Sequence, residues 1–373
     1  MRFKNGFHAR HAVFPVFHNA ANAIYQGYMS LYWTHLGFSE QMIGQIGAIS
    51  AAAAILAQPI WGRLGDRMRH QNRLLAILSA SAAAALLPAL FGRGFLPQAA
   101  CAAAFFALFS ALLPLGDAIL LESGGGFGTY RLAGGIAFAL AGLAFGVIFL
   151  PNNAVVAVIA ALAFFSAIGA LLLPDTRGRN RGAGMLSLLK NRNLTRLLLF
   201  LLPVQATMAC YYTVYAPRFE AIGGSRFALG LGYLIASASE APYLLLSEKI
   251  YRRFGAAKPM CVAAGILAVR WWIVGFARTP VPMLLAQALH GGGLTVLSVS
   301  MARWIADNVP NELRAAGQTL LNMAAFGASR LIGSFGAGLL ADAFGSGAAF
   351  RVCAGVCAIS AVCFAGFAFR RNR

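Results

Sequence analysis

Twelve long apolar runs, separated by short connections that carry most of the charge, dominate this sequence. Each run is close to the ~20 apolar residues that a helix needs to span a bilayer. Of the 373 residues, 59% are hydrophobic and 11% are charged, and the mean hydropathy is +0.70. Soluble proteins carry about 25% charged residues, so this composition excludes a soluble enzyme or binding module. It predicts a polytopic, all-α membrane protein embedded in the lipid bilayer.

The apolar runs predict twelve transmembrane helices in two bundles of six. The first run follows a short basic tail and lacks a small-residue cleavage site, so we interpret it as a retained helix rather than a signal peptide. The polar segment 174–193 divides the chain into an N-terminal bundle, residues 1–173, and a C-terminal bundle, residues 194–373. The predicted spans are residues 11–34, 39–61, 74–92, 97–121, 129–150, 153–173, 194–216, 225–248, 259–277, 281–305, 314–341 and 347–369.

The basic connections account for the net charge of +19, and their distribution predicts the orientation. Both termini and the even-numbered connections carry 21 of the 30 lysine and arginine residues, whereas the opposite side carries five. By the positive-inside rule, both termini and the 174–193 linker are cytoplasmic in the cell (inner) membrane. We therefore expect no nucleic-acid partner. The remaining four arginines lie within spans or at their ends: Arg131, Arg270, Arg303 and Arg330.

The two halves of the chain repeat one another. Residues 62–67 read Gly-Arg-Leu-Gly-Asp-Arg after the second span, and the basic segment 247–255 follows the eighth. The acidic connection near Glu122 has a counterpart near Asp307. Two six-helix repeats around a site at the membrane midplane are an architecture of secondary transporters.

Polar groups inside the spans are the functional candidates, because hydrocarbon disfavours them. Five charged residues lie in or at the edges of spans, and each costs roughly 2.5–3.5 kcal/mol to bury unpaired. We expect them to form ion pairs or to line an aqueous cavity, with purely structural ion pairs as the alternative. They are Asp117, Arg131, Glu240, Arg270 and Arg330.

The first span also carries a stripe of polar residues at helical spacing. The stripe indicates either the lining of a cavity or hydrogen bonding between helices. His290, in the tenth predicted span, titrates near neutral pH unless its surroundings shift it; a satisfied core histidine is the alternative. The residues of the stripe are His18, Asn19, Asn22, Tyr25 and Gln26.

Residues 62–69, Gly-Arg-Leu-Gly-Asp-Arg-Met-Arg, resemble the signature loop of the major facilitator superfamily, which follows the second helix in that family. Its glycines are expected to allow a tight turn, although Arg69 replaces a glycine that the family usually has. Residues 338–345 fit the same resemblance. We therefore predict the major facilitator fold, with a conformational-switch loop formed by Gly62, Gly65, Asp66 and Arg67.

Within that superfamily the chain resembles the lactose permease and phenylpropionate-transporter-like branch over nearly its whole length. Pro-Leu-Gly-Asp at 114–117 and Phe-Gly-Thr-Tyr-Arg-Leu-Ala-Gly at 127–134 resemble its helix four acid and helix five arginine, which belong to the sugar site. Phe138 matches a sugar-stacking tryptophan. Val-Arg at 269–270 and Gln-Ala-Leu-His at 287–290 resemble the helix nine arginine and helix ten histidine of the proton-coupling cluster.

The chain departs from this branch where the permease carries protons. Gly293 stands where the permease has a glutamate, three residues after its histidine, and the tyrosines Tyr211, Tyr212 and Tyr215 occupy the region of the helix seven aspartates. Glu240, about one turn from the family's helix eight glutamate, is the best remaining proton carrier, with Asp117 next.

These observations predict a secondary transporter that works by alternating access between two six-helix halves, moving a small polar solute with a proton and acting as a monomer. A sugar or oligosaccharide is favoured; an organic or aromatic acid anion, an uncoupled facilitator and a membrane-embedded lipid-modifying enzyme are the alternatives. No cofactor or metal is expected. The predicted substrate site comprises His18, Asn22, Tyr25, Gln26, Asp117, Arg131, Phe138, Tyr211, Arg270 and His290, and the proton-coupling group comprises Glu240, Arg270 and His290.

The predicted orientation is testable by cysteine accessibility. In a chain without its six native cysteines, Asn180→Cys should react with a membrane-impermeant maleimide only after the cells are permeabilised. Arg93→Cys, on the opposite predicted side, should react in intact cells. Labelling of the residue 180 variant from outside would overturn the topology.

Overall fold

The structure is a computed structural model that describes residues 8–123, 126–148, 151–177, 188, 190–310 and 313–370. The described residues form twelve helical segments of membrane-spanning length, and eleven of these are also strongly apolar throughout a span-length window. The twelfth, the first helix, carries the polar stripe. The twelve-helix prediction is therefore confirmed.

We number these segments α1 to α12 in chain order. A bilayer leaves no water for the backbone, so each segment satisfies its own peptide groups by forming a helix. The bounds are Val13–His35, Glu40–Arg67, Gln71–Leu90, Phe95–Glu122, Phe127–Val147, Ala154–Leu171, Arg192–Ala221, Arg226–Phe254, Ala257–Phe276, Pro280–Asn308, 314–344 and Ser346–Arg370.

Three of the segments are interrupted close to a charged or titratable residue. Helix α4 breaks between Phe109 and Leu112, and helix α10 tightens into a 3-10 turn at Ala286–Leu289. Helix α11 widens into a π turn at Met323–Ala328. Such interruptions free backbone groups and re-aim the side chains that follow, and π turns are frequent at functional sites.

The chain divides into two units, each described by itself: Met1–Phe38 with Ile49–Arg181, and Ser39–Ala48 with Gly182–Arg373. In the first unit, α1 packs on α5 and α6, and α3 packs on α4 and α6. In the second unit, α7 packs on α11 and α12, and α9 packs on α10 and α12. Each of these pairs recurs six helices later, so the internal packing has the repeat that the sequence indicates.

The first turns of α2 group with the second unit, although the prediction placed all of residues 1–173 in the first bundle. The reason is a close approach of small residues within that unit. A Cβ on Gly44 would lie 2.5 Å from the Ser334 carbonyl oxygen and 2.8 Å from Gly338 Cα. Two backbones can come this close only where side chains are absent.

The signature segment is helical rather than a turn. Helix α2 continues to Arg67, so Gly62 and Gly65 lie inside it, contrary to the expectation that they form the turn. Gly65 instead provides space for packing, because a Cβ there would lie 2.8 Å from Leu115 Cδ2. The chain reverses over residues 68–70.

Hydrogen bonds tie this reversal to the segment that follows α6. Gln71 N donates to the Thr176 carbonyl at 3.1 Å, and Thr176 Oγ1 donates to Gln71 Oε1 at 2.7 Å. His70 Nδ1 lies 2.6 Å from Asp175 Oδ2. The start of the predicted linker is thereby fixed to the first unit. Linker residues 178–187 and 189 lie outside the described residues.

Candidate functional site

Asp117 and Arg131 form an ion pair in the first unit. Asp117 follows the break in α4, and Arg131 lies in the second turn of α5, where its Nη2 donates to Asp117 Oδ2. The Asp117 side chain is 14% exposed and that of Arg131 is 49% exposed. The second carboxylate oxygen, Oδ1, is buried with no hydrogen-bond partner in the described part of the chain. The pair is therefore neutral overall and keeps hydrogen-bonding capacity on both members.

Tyr130 is a buried neighbour of this pair that the sequence patterns did not reveal. Its side chain is 0% exposed, and its ring stacks with Phe14 at 6.5 Å. Gly116 makes room for it, because a Cβ there would lie 2.5 Å from the Tyr130 hydroxyl. The hydroxyl has no hydrogen-bond partner among the described residues. Only the juxtaposition of α4 and α5 places this phenol beside the acidic residue.

The polar stripe of α1 separates into two kinds of environment. His18 is 2% exposed and stacks on Phe109 at 4.3 Å, while Tyr25 is 5% exposed and stacks on Phe105 at 5.0 Å. These two side chains lie in aromatic packing, and their contact with a substrate stays a prediction. Half-buried positions are held by the amides Asn19, Asn22 and Gln26.

Two further candidate residues of the first unit, Asn19 and Phe138, lie on α1 and α5. Asn19 Nδ2 donates to the Pro15 carbonyl at 2.8 Å, and Gly134 of α5 packs directly against its side chain. Phe138 is half-buried on α5, seven residues and about two turns beyond Arg131. Its predicted stacking role is neither supported nor contradicted by its position.

Arg270 is enclosed in the second unit. It is 0% exposed, and its guanidinium lies 4.6 Å from the centre of the Tyr211 ring and 4.4 Å from that of Trp271. Its Nη2 donates to Gln287 Oε1 at 2.7 Å. Two aromatic faces and an amide thus stabilise the charge in place of a carboxylate. We call Arg270, Tyr211, Trp271 and Gln287 the arginine cage.

Contacts with α7 and α12 fix the Trp271 side of the arginine cage. Trp271 Nε1 donates to Thr207 Oγ1 at 2.9 Å, and Thr207 Oγ1 donates to the Val204 carbonyl at 2.7 Å. Cys357 Sγ lies 3.4 Å from the same hydroxyl. Tyr211 Oη donates to Gln287 Oε1 at 3.3 Å. No periodicity in the sequence identifies Thr207 or Trp271, because their role depends on three helices meeting.

Glu240 and His290 form the second polar group of this unit. His290 Nε2 lies 3.6 Å from Glu240 Oε1, and Thr295 Oγ1 donates to Glu240 Oε2 at 3.3 Å. The Glu240 side chain is 36% exposed, whereas His290 is 7% exposed. The approach of α8 to α10 requires Gly291, where a Cβ would collide with the backbone of Ser239. The structure therefore brings these two predicted coupling residues together, while Arg270 bonds to Gln287.

Gly293 packs closely against α9, so that any side chain at this position would require Leu267 to shift. A Cβ at this position would collide with the Leu267 side chain of α9. Apolar packing thus occupies the position at which the sequence resemblance places an acidic residue. Arg330 follows the π turn of α11 and lies 5.6 Å from the centre of the Tyr212 ring of α7.

Comparison with known proteins identifies the family. The sequence model of the MFS_1 like family matches residues 8–352. The chain belongs to this family. It is 30% identical over 302 residues to the maltose permease of Geobacillus stearothermophilus, covering 74% of each chain. It is 27% identical over 327 residues to an Escherichia coli (strain K12) protein named "Probable 3-phenylpropionic acid transporter", covering 82% of this chain and 84% of that protein.

Solved structures share the fold of this MFS_1 like protein. A mutant of the nucleoside transporter NupG matches with a TM-score of 0.85 over 96% of this chain and 98% of that one, at 17% identity. A mutant of the peptide transporter POT matches with a TM-score of 0.76 at 13% identity, over 96% and 94% of the two chains. Membership of the MFS_1 like family, together with the transporters among its relatives, identifies the protein as a secondary transporter of the major facilitator superfamily rather than an enzyme.

The ion pair of the first unit should be needed for transport. We expect Asp117→Asn, Arg131→Gln and Arg131→Lys each to reduce uptake at least about tenfold, because an ammonium cannot reproduce the planar guanidinium fork. The measurement is initial uptake rate in proteoliposomes at equal reconstituted protein.

The double variant Asp117→Asn/Arg131→Gln separates binding from structure. Removing Arg131 alone leaves the charge of the largely buried Asp117 carboxylate uncompensated, but removing both partners does not. A purely structural pair would recover uptake in the double variant, and that recovery would remove the pair from the substrate site. Arg252→Gln, which breaks an exposed ion pair with Glu248, is the control and should transport normally.

Proposed function

We propose that this protein is a proton-coupled transporter of a sugar or oligosaccharide. The observation that carries the proposal is the enclosure of Arg270, because it changes the charge available to a substrate. Of the five charged residues predicted within or at the edges of spans, Arg270 alone is 0% exposed. The other four comprise two arginines and two carboxylates.

A balanced set of exposed charges favours an uncharged substrate. With Arg270 counted, three arginines face two carboxylates, and that excess would suit an organic anion. Without it, two arginines face two carboxylates, and Arg131 forms an ion pair with Asp117. Paired carboxylate and guanidinium groups recognise hydroxyls through charge-assisted hydrogen bonds. The half-buried amides Asn22 and Gln26 add neutral donors and acceptors.

The similarity to relatives supports the same choice. The maltose permease is a relative at 30% identity, and a disaccharide presents many hydroxyls and no charge. The relative named as a phenylpropionic acid transporter, at 27% identity, favours an aromatic acid anion as the second candidate.

The location and orientation that we propose for the protein rest on the distribution of its charges. We propose that the protein works as a monomer in the inner membrane with both termini in the cytoplasm, since 21 lysine and arginine residues lie on that side. Protons supplied by the pH gradient are the proposed partner of the substrate.

The substrate class is testable with radiolabelled solutes. Proteoliposomes containing the protein should take up maltose faster than uridine or 3-phenylpropionate, and unlabelled maltose should compete. Vesicles without protein, and vesicles with Arg131→Gln, are the controls. Uptake of 3-phenylpropionate without uptake of maltose would replace the sugar proposal by the organic-anion one.

Glu240 is the proposed proton carrier, because its contacts suit two protonation states. Thr295 can donate to the carboxylate, and His290 lies 3.6 Å away. The Glu240 side chain is 36% exposed, and we propose that this exposed part faces an aqueous cavity. Asp117, by contrast, already has a guanidinium partner.

Glu240→Gln should uncouple transport from the pH gradient. Glutamine mimics the protonated acid, so the variant should exchange maltose across the membrane but not accumulate it. The wild type should accumulate maltose up to about tenfold for each pH unit if one proton accompanies each sugar. The variant Glu248→Gln, altered at the cytoplasmic end of the same helix, should still accumulate. Gradient-driven accumulation by Glu240→Gln would exclude Glu240 as the carrier.

A further inference from the structure

We infer that a column of stacked aromatic rings in the first unit positions the Asp117–Arg131 ion pair, and that His18 serves in this column as a flat ring and not as a hydrogen-bonding ligand. This role rests on the proposed function, in which the ion pair binds the sugar. We call the rings the aromatic column; in the order in which they meet, they are Tyr25, Phe105, Phe109, His18, Phe14, Tyr130 and Phe127.

Each ring of the aromatic column lies nearly parallel to the next one. The six successive pairs have interplanar angles between 12° and 21° and ring-centre separations between 4.3 and 6.5 Å. Six of the seven side chains are at most 5% exposed, and the seventh, Phe127, is half-buried. Offset-parallel stacking is a favourable arrangement of aromatic rings. The column is therefore one continuous packed element.

The column connects three helices. On α1, His18 stacks on Phe109 of α4 at 4.3 Å. Phe14, also on α1, stacks on Tyr130 of α5 at 6.5 Å. Tyr25 makes a further contact between α1 and α4. Because Phe109 is the last residue before the break in α4, these contacts fix α4 at its break and α5 in its first turn.

Each member of the ion pair is adjacent in sequence to a contact of the column. Gly116, which precedes Asp117, lies directly against two of the rings: a Cβ there would be 2.5 Å from the Tyr130 hydroxyl and 2.7 Å from Phe14 Cε1. Tyr130 itself precedes Arg131. A displacement of these two rings would therefore change the separation of the carboxylate and the guanidinium.

The column ends at the guanidinium of the ion pair. Arg131 Cζ lies 5.6 Å from the centre of the Phe127 ring, within the range of a cation–π interaction. Phe127 precedes Arg131 by four residues on α5, so the two side chains lie on one face of the helix. The guanidinium is thus held between the Asp117 carboxylate and the last ring of the column.

His18 lies in the middle of the column. Its ring stacks with Phe14 at 5.5 Å and with Phe109 at 4.3 Å, and the residue is 2% exposed. Its Nδ1 is buried without a hydrogen-bond partner among the residues that the structure describes. A buried nitrogen without a partner does not stabilise the fold, so the favourable contacts of His18 are those of its ring. Phenylalanine provides the same flat shape, whereas leucine does not.

The first experiment measures the kinetics of maltose uptake in proteoliposomes at equal reconstituted protein. His18→Phe should keep the wild-type KM and Vmax, because the stack is retained. His18→Leu and Phe109→Leu each interrupt the stack and should raise KM about tenfold with a smaller change in Vmax, because a displaced ion pair binds the sugar less well. Phe164→Leu, the same substitution at an exposed position of α6, is the matched control and should transport normally.

His18→Phe distinguishes a ring from a ligand. Loss of uptake in this variant, at normal reconstitution, would show that the imidazole nitrogens are needed and would overturn the inference. An unchanged KM in both leucine variants, or a fall in Vmax alone, would overturn it as well. If neither leucine variant folds, His18→Phe decides the question by itself.

The second experiment measures the position of the ion pair without any substrate. In a chain without its six native cysteines, Asp117→Cys/Arg131→Cys should be joined by a short bifunctional thiol reagent. Adding His18→Phe should leave the rate of cross-linking unchanged, whereas adding His18→Leu should slow it about tenfold. An equal rate with His18→Leu would contradict the positioning role.

The proposed function and the role of the column fail in different ways. A wild type that does not take up maltose overturns the proposed substrate, while the cross-linking comparison still tests the column. A wild type that takes up maltose, together with a His18→Leu variant of unchanged KM and unchanged cross-linking rate, overturns the column alone.

Discussion

The high free energy of a charge in hydrocarbon decides where this protein can place its few intramembrane ionic groups. An unpaired charge costs roughly 2.5–3.5 kcal/mol at the centre of a span on insertion scales, while a whole domain is stable by only about 5–15 kcal/mol. The chain meets this constraint in three ways. Asp117 and Arg131 neutralise one another, Arg270 is stabilised by aromatic faces and an amide, and Glu240 lies beside a histidine and a hydroxyl.

The three solutions have different consequences for transport. An ion pair between two helices can open when substrate hydroxyls replace either partner, so it suits binding. A caged arginine has nowhere to move and instead fixes the helices around it. A carboxylate whose neighbours are a histidine and a hydroxyl is the proposed place for proton exchange. On the proposed function, this division of tasks lets the chain work with Gly293 at the position where the lactose permease branch, which the sequence resembles, has a glutamate.

Small residues set the distances at which these groups meet. The α8–α10 contact at Gly291, the α7–α11 contact at Gly333 and the α4–α5 contact at Gly116 each bring a functional residue close to a neighbouring helix. Lipid provides no hydrophobic force between helices, so close backbone packing has to supply much of the association. The glycines are thus part of the site, although they contribute no polar group to it.

The twelve spans, the two-fold repeat and the identity of the charged candidates could all be predicted from the amino-acid sequence, because hydropathy and charge are properties of single residues and short runs. The pairing of Asp117 with Arg131 was also within reach, since the two lie on consecutive helices separated by a short connection. The sequence alone does not distinguish the enclosed environment of His18 from the half-buried one of Asn22. Helical spacing places both on one broad stripe of α1, and only the neighbouring rings decide which is enclosed.

The enclosure of Arg270 depends instead on how the helices pack together. Its partners come from α7, α9 and α10, and Met208 and Gln287 lie far from each other in the chain. An arginine in a span can be a ligand, a coupling residue or a buried structural residue. Its role depends on what surrounds the guanidinium, and helix packing rather than sequence spacing fixes those surroundings. For the same reason Tyr130, Thr207 and Gln287 become recognisable as neighbours of the candidate site residues only once the helices are assembled.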